Sequence, residues 1–253
     1  MLEIKNICAG YDKKRVISDI SFEVERGSVI SVIGPNGCGK STLMRSIAGI
    51  IDIYNGETVI DGEPAEKLGR LGVARKISYL AQGKSVPDMT VGQMVLHGRF
   101  PHLSYPRRYS KRDREIARDA MSAVGVLELE GCPMNSLSGG MRQNAYIAMA
   151  LAQDSDYILL DEPTTYLDAS HQMTLMDMLC GLSKRGKGIV AVLHDIPLAL
   201  GYSDKILLMH EGRVLCFGSP DEVLDSGMIE KVLGLAVSRD ENGGYYTSYK
   251  RKI

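Results

Sequence analysis

A glycine-rich stretch constrains this chain more than any other part of it. GPNGCGKST, Gly34 to Thr42, fits the spacing G-x-x-x-x-G-K-[ST]. It follows the apolar run Val29–Ile33 and opens a helical pattern from about Lys40 to Ala48, the strand–loop–helix setting that a phosphate-cradling loop requires. Gly34, Gly37 and Gly39 let the backbone curl so that its N–H groups converge on anionic oxygens. A helix N-terminus adds partial positive charge there. Lys40 can reach the outer phosphates of a nucleotide, and the Ser41 hydroxyl can ligate Mg2+. Pro35, Asn36, Cys38 and Thr42 complete the loop. A glycine turn followed by a solvated lysine is the plain alternative, and the flanking strand and helix argue against it.

A second run sharpens this reading. YILLDE, Tyr157 to Glu162, is continuously apolar until it ends in two carboxylates, the pattern of a buried parallel strand. Asp161 can hold a Mg2+ shell, and Glu162 can polarise an attacking water. LSGGM, Leu137 to Met141, precedes an amphipathic stretch. Ser138, Gly139 and Gly140 there offer a hydroxyl and N–H groups at another helix start, a second anion-binding turn.

Other apolar, β-branched runs are expected as strands: Leu2–Cys8, Val16–Val24, Thr58–Ile60, Ile77–Ala81, Ile189–Leu193 and Ile206–Met209. Asp61-Gly62 and Glu211-Gly212 read as hairpin turns. Strand patterns vanish between Gln82 and Asp156, where helices are expected over Thr90–His97, Lys111–Val124 and Gly140–Ala152. The chain therefore reads as α/β, with a core of residues 1–82 and 156–253 and a helical subdomain, 83–155, inserted between strands. The tail from Val237, including Asn242 and Lys250 to Lys252, reads as a surface hairpin or frayed end.

Composition excludes several classes. The chain has 30 Lys+Arg against 31 Asp+Glu, a net charge of −1, which argues against a nucleic-acid coat or a polybasic membrane binder. RRYSKRDR, Arg107 to Arg114, reads as a solvated helix face rather than a nucleic-acid patch. The longest apolar run, Ala145 to Ala152, is far short of the ~20 residues of a membrane helix. The N-terminus lacks the layout of a secretory signal, so the chain is expected neither to span a membrane nor to be exported. Its 5 cysteines form no metal-ligand spacing and read as reduced thiols, mostly buried.

The order GPNGCGKST, Gln82, LSGGM, YILLDEPTTYLD and VLHD resembles the ATP-binding subunits of ABC transporters, from about residue 2 to residue 235. The resemblance implies a P-loop NTPase core with a mixed, largely parallel sheet, and an ATP hydrolase using Mg2+. It implies that Tyr11 stacks on adenine, that Gln82 touches Mg2+ and the water, that Asp168 faces a second subunit, and that His194 contacts the γ-phosphate. Two copies would pair on binding ATP, each phosphate loop facing Ser138, Gly139 and Gly140 of the other. The dimer would sit peripherally on the cytoplasmic face of the membrane, on two transmembrane permease subunits fed by an extracellular or periplasmic substrate-binding protein. No nucleic-acid partner is expected.

TTYLD (Thr164 to Asp168), HGRFPHLS (His97 to Ser104) and GSPDEVL (Gly218 to Leu224) look like the subgroup importing iron chelates, haem or vitamin B12. The alternative is a soluble ABC ATPase, such as one serving iron–sulfur assembly. Met141 stands where that family usually has Gln, and Asn144 where it usually has a basic residue. Cys38 replaces a smaller residue and, near Lys40, is expected to be open to oxidation. The groove from Gln82 to about His102, with Arg99 at its edge, is the expected permease contact.

Overall fold

The structure, a computed structural model, describes residues 1–83, 86–241 and 243–248; Asn242 and Lys250 to Lys252 of the expected tail lie outside them. In chain order the strands and helices are β1 (Leu2–Tyr11), β2 (Lys14–Val24), β3 (Val29–Ile33), α1 (Lys40–Ile47), β4 (Ile53–Ile60), β5 (Glu63–Pro64), α2 (Ala65–Lys76) and β6 (Ile77–Leu80). Then come α3 (Val91–Leu96), α4 (Lys111–Ala123), α5 (Gly139–Ala152), β7 (Tyr157–Asp161), α6 (Ala169–Ser183), β8 (Gly188–Val192) and α7 (Ile196–Tyr202). β9 (Lys205–His210), β10 (Arg213–Gly218), α8 (Pro220–Asp225), α9 (Met228–Leu233), β11 (Ala236–Arg239) and β12 (Tyr245–Ser248) close the chain.

Two sheets carry the architecture. The larger has the order β10-β9-β3-β8-β7-β6, parallel throughout except for the β9–β10 hairpin. Every residue of β3, β7 and β8 is buried, which is why they read as unbroken apolar runs. Their side chains nevertheless alternate between two cores. Val29, Ile33, Ile158, Leu160, Ile189 and Ala191 join the helices α5, α6 and α7 on one face. Ile30, Val32, Tyr157, Leu159, Val190 and Val192 meet α1 and the second sheet on the other. That second sheet, β2-β1-β4-β5, is antiparallel.

Turn chemistry sets the hairpins. Asp61 and Gly62, and Glu211 and Gly212, all have positive φ, as two-residue hairpin loops matched to strand twist require. Asp12 and Lys13 do the same between β1 and β2 without a glycine, so the sequence carried no signal there. β4 begins at Ile53, earlier than expected, because its first half is largely exposed and lacks an apolar run. The tail hairpin β11–β12 forms, and Val237 and Tyr245 pack it against the core.

The chain between β6 and β7 is helical. Ser110 caps α4, its hydroxyl accepting from the Asp113 N–H at 3.1 Å while the Asp113 carboxylate accepts back. Thr90 and Gln93 form a second box on α3. Arg99 departs from the expectation of a surface groove. It is 7% exposed, ion-paired with Asp113 at 3.0 Å, and donates to the Ala152 carbonyl at 2.9 Å. The Arg99–Asp113 pair therefore staples the 97–102 turn to α4 and the end of α5. Burial alone would raise the Asp113 carboxyl, but Ser110 and Arg99 hold it below its ordinary value. Of the basic stretch, Arg107 lies over the Phe100 ring and Lys111 and Arg112 face Glu115. Among the described residues no helix is long and apolar enough to cross a membrane.

Candidate active site

Spatial order differs from chain order, and the difference builds the site. β3 lies beside β8, β8 beside β7, and β7 beside β6. The residues at and beyond their carboxyl ends are therefore neighbours: Gly34–Gly39 after β3, His194 after β8, Asp161 at the end of β7 with Glu162 just after it, and Gln82 after β6. Open α/β sheets gather ligands at this edge.

The loop conformation depends on its glycines. Gly39 has φ +105° just ahead of α1, and a Cβ on it would come within 2.6 Å of Ile17 Cγ2. A Cβ on Gly34 would meet the Met209 carbonyl oxygen at 2.2 Å. Lys40 is 6% exposed, and its Nζ donates to the Gly34 and Pro35 carbonyls at 2.8 and 3.0 Å. A cleft of about 350 Å³ is lined by Val16, Asn36, Gly37, Gly39, Lys40, Ser41, Thr42, Gln82, Glu162 and His194.

Glu162 sits where the strand ends, with φ 55°, a left-handed conformation uncommon outside glycine and found at sites that need an unusual side-chain direction. Both of its oxygens are occupied: His194 Nε2 lies 2.7 Å from Oε1, and the Gln82 amide donates to Oε2 at 2.5 Å. Asp161, one residue earlier, is 1% exposed. Ser41 donates to its Oδ1 at 3.2 Å and Tyr79 to its Oδ2 at 3.1 Å. Burial pushes the Asp161 carboxyl up, only partly offset by those bonds, so it is poised to gain from a cation. The Ser41 hydroxyl, Asp161 carboxylate and Gln82 carboxamide are hard oxygen donors of the kind Mg2+ takes. Mg2+ takes one or two such protein ligands together with waters and phosphate oxygens.

The remaining expected residues lie elsewhere. Tyr11 ends β1, outside the cleft lining, and its hydroxyl accepts from Arg45 at 3.1 Å. Ser138 caps α5, accepting from the Met141 N–H at 3.3 Å. Gly139 and Gly140 pack beside Tyr166 and Leu167, and none of the three lines the phosphate-loop cleft. Asp168 caps α6, accepting from the His171 N–H at 2.9 Å and pairing with its ring nitrogen at 2.8 Å. Those bonds hold its carboxyl below the ordinary value. Met141 is exposed, whereas Asn144 donates to the Val124 carbonyl at 3.1 Å and ties α5 to the end of α4. Cys38 corrects the expectation of a reactive thiol: it is buried, and burial pushes the thiol up against the lowering effect of Lys40.

Two contributors escaped sequence reasoning. Val16 walls the cleft from β2, and Tyr79 holds Asp161 from the neighbouring strand. Neither stands in a motif; only the pairing of β6 with β7 brings Tyr79 alongside.

The ABC transporter family matches residues 17–165. The chain is 40% identical over 233 residues to the ferric enterobactin transport ATP-binding protein FepC of Escherichia coli, covering 91% of this chain and 86% of that one. It is 39% identical to the petrobactin import ATP-binding protein FpuD of Bacillus anthracis, covering 91% and 85%. Among solved structures, a metal-chelate type ABC transporter in an inward-facing conformation superposes with a TM-score of 0.83 at 26% identity, covering 100% of this chain and 99% of that one. A dimeric bacterial ABC transporter cassette superposes with a TM-score of 0.77, also at 26% identity, covering 87% and 99%. With its phosphate loop, paired carboxylates and His194 assembled at one sheet edge, the chain belongs to the ABC transporter family, as an ATP-binding and ATP-hydrolysing subunit.

Proposed function

We propose that this chain energises the uptake of an iron chelate, of the siderophore class, through a membrane permease. The observation that carries the proposal is Glu162, held by Gln82 and His194 at the mouth of the phosphate-loop cleft, in a chain similar to siderophore-import subunits over nine-tenths of its length.

The loop N–H groups and Lys40 bind the β- and γ-phosphates of ATP, with Lys40 exchanging two carbonyl partners for phosphate oxygens. Ser41, Asp161 and Gln82 hold the Mg2+ that accompanies ATP, which supplies Lewis-acid polarisation of the phosphate oxygens. Glu162 accepts the proton of the attacking water, and His194 orients it and contacts the γ-phosphate. Tyr11 stacks on adenine. Ser138 and Gly139 are exposed and Gly140 half-buried, and the three belong to the facing half of a site in a second copy, with Asp168 at the shared surface. The core, 1–82 and 156–253, and the helical part, 83–155, act as two subdomains whose closure on ATP is passed through Gln82 to two permease subunits. The pair sits peripherally at the cytoplasmic face, reached by the chelate through a separate substrate-binding protein.

The test is uptake of a radiolabelled ferric siderophore by cells in which this chain is replaced by Glu162→Gln. Uptake lost in the variant and restored by wild type supports the reading. Uptake indifferent to the variant overturns it.

A further inference from the structure

Tyr79 stands on β6, partly buried against the apolar core. A phenylalanine would fill that space equally well, so the hydroxyl calls for a separate reason. It donates to Asp161 Oδ2 at 3.1 Å, while Ser41 occupies Oδ1 at 3.2 Å. The phenol thus links β6 to the carboxylate that ends β7, across the ladder between the two strands.

We propose that Tyr79 is a positioning residue: its hydroxyl fixes the orientation of the Asp161 carboxylate toward a divalent cation. The proposal rests on the reading of Asp161 as a cation-holding carboxylate. A carboxylate turns about a broad, two-fold torsion, so a buried one aims a lone pair at a cation only when something pins its other oxygen. The phenol does so, holding Oδ2 while Ser41 lies on Oδ1.

The experiment measures binding of a fluorescent ATP analogue to the full chain with Mn2+ and, separately, in EDTA. Tyr79→Phe is expected to keep the EDTA affinity and to lose about tenfold of the gain that Mn2+ confers. An equal fall in both conditions overturns the proposal as a mere packing effect, and so does an unchanged Mn2+ gain. Asp161→Asn is the control: if it leaves the Mn2+ gain intact, the reading of Asp161 fails first and takes the proposal with it. If it abolishes the gain while Tyr79→Phe does not, only the positioning proposal falls.

Discussion

At the phosphate loop, Lys40 is buried with its ammonium on two carbonyls, and Glu162 has a partner on each oxygen. At the Ser138–Gly140 turn the residues are exposed or half-buried, and Ser138 bonds only to the helix it caps. The first region is built within one chain: Lys40 and Glu162 have partners, and Gly34 and Gly39 are held by close neighbours. The second presents a helix start whose first N–H groups lack intrahelical partners, backed by Tyr166 and Leu167. The contrast is that of a prebuilt half-site and a complementary half-site displayed outward, the arrangement that our proposed head-to-tail pairing requires.

The largest effect should come from the finished half. Glu162→Gln keeps the shape and the Gln82 contact but removes the base, so turnover should fall on the order of 10²–10⁴-fold while ATP affinity holds. Steady-state hydrolysis and calorimetry check this, and light scattering with Mg-ATP should then find a trapped dimer. A monomer would break the comparison.

Arg99→Glu addresses the scaffold that carries the displayed half. It opposes Asp113 with a like charge in a buried setting, so stability should drop by about 3–5 kcal/mol, read as a lower urea midpoint. An unchanged midpoint would mean that the staple is not needed to hold α4 and α5.

Mixing sharpens the contrast directly. Lys40→Ala damages only the prebuilt half and Ser138→Arg only the displayed one, so neither alone should hydrolyse ATP. A mixture should regain part of the activity, because each heterodimer keeps one intact composite site. Silence of the mixture at concentrations where wild type dimerises would separate the two regions functionally.

The smallest change is expected at Met141, which is 48% exposed and makes no side-chain bond that the turn depends on. Met141→Gln should shift stability by less than about 0.5 kcal/mol, measured by thermal melting. A marked gain in hydrolysis would place that side chain at the facing copy's nucleotide.

Much of the cleft was legible in the chain because its parts are local. A strand, a glycine loop with lysine and a helix are contiguous, and Asp161, Glu162 and His194 each close an apolar run. Arg99 was misread for the opposite reason: nothing near it in sequence distinguishes a surface arginine from one buried by the end of a helix 53 residues away. Cys38 was misread because its neighbour Lys40 is local whereas its burial is not. Helices such as α2 and α6 were not anticipated: α2 is interrupted at Gly69, with φ 64°, and exposed Met173 blurs the apolar stripe of α6.

The sequence by itself determined the phosphate loop, the alternation of strands with helices, the hairpin turns at Asp61-Gly62 and Glu211-Gly212, and the likeness to ATP-binding subunits. The first three follow from backbone preferences and apolar patterning over a few neighbouring residues, and the likeness rests on the order of the motifs. Only the tertiary structure decided that β8 lies between β3 and β7, and hence that Gln82 reaches Glu162 across 80 residues and Ser41 reaches Asp161 across 120. Strand order is set by which buried faces and ladders fit when the whole sheet closes. No single segment carries that information, because a fully buried strand looks the same wherever it sits in the sheet.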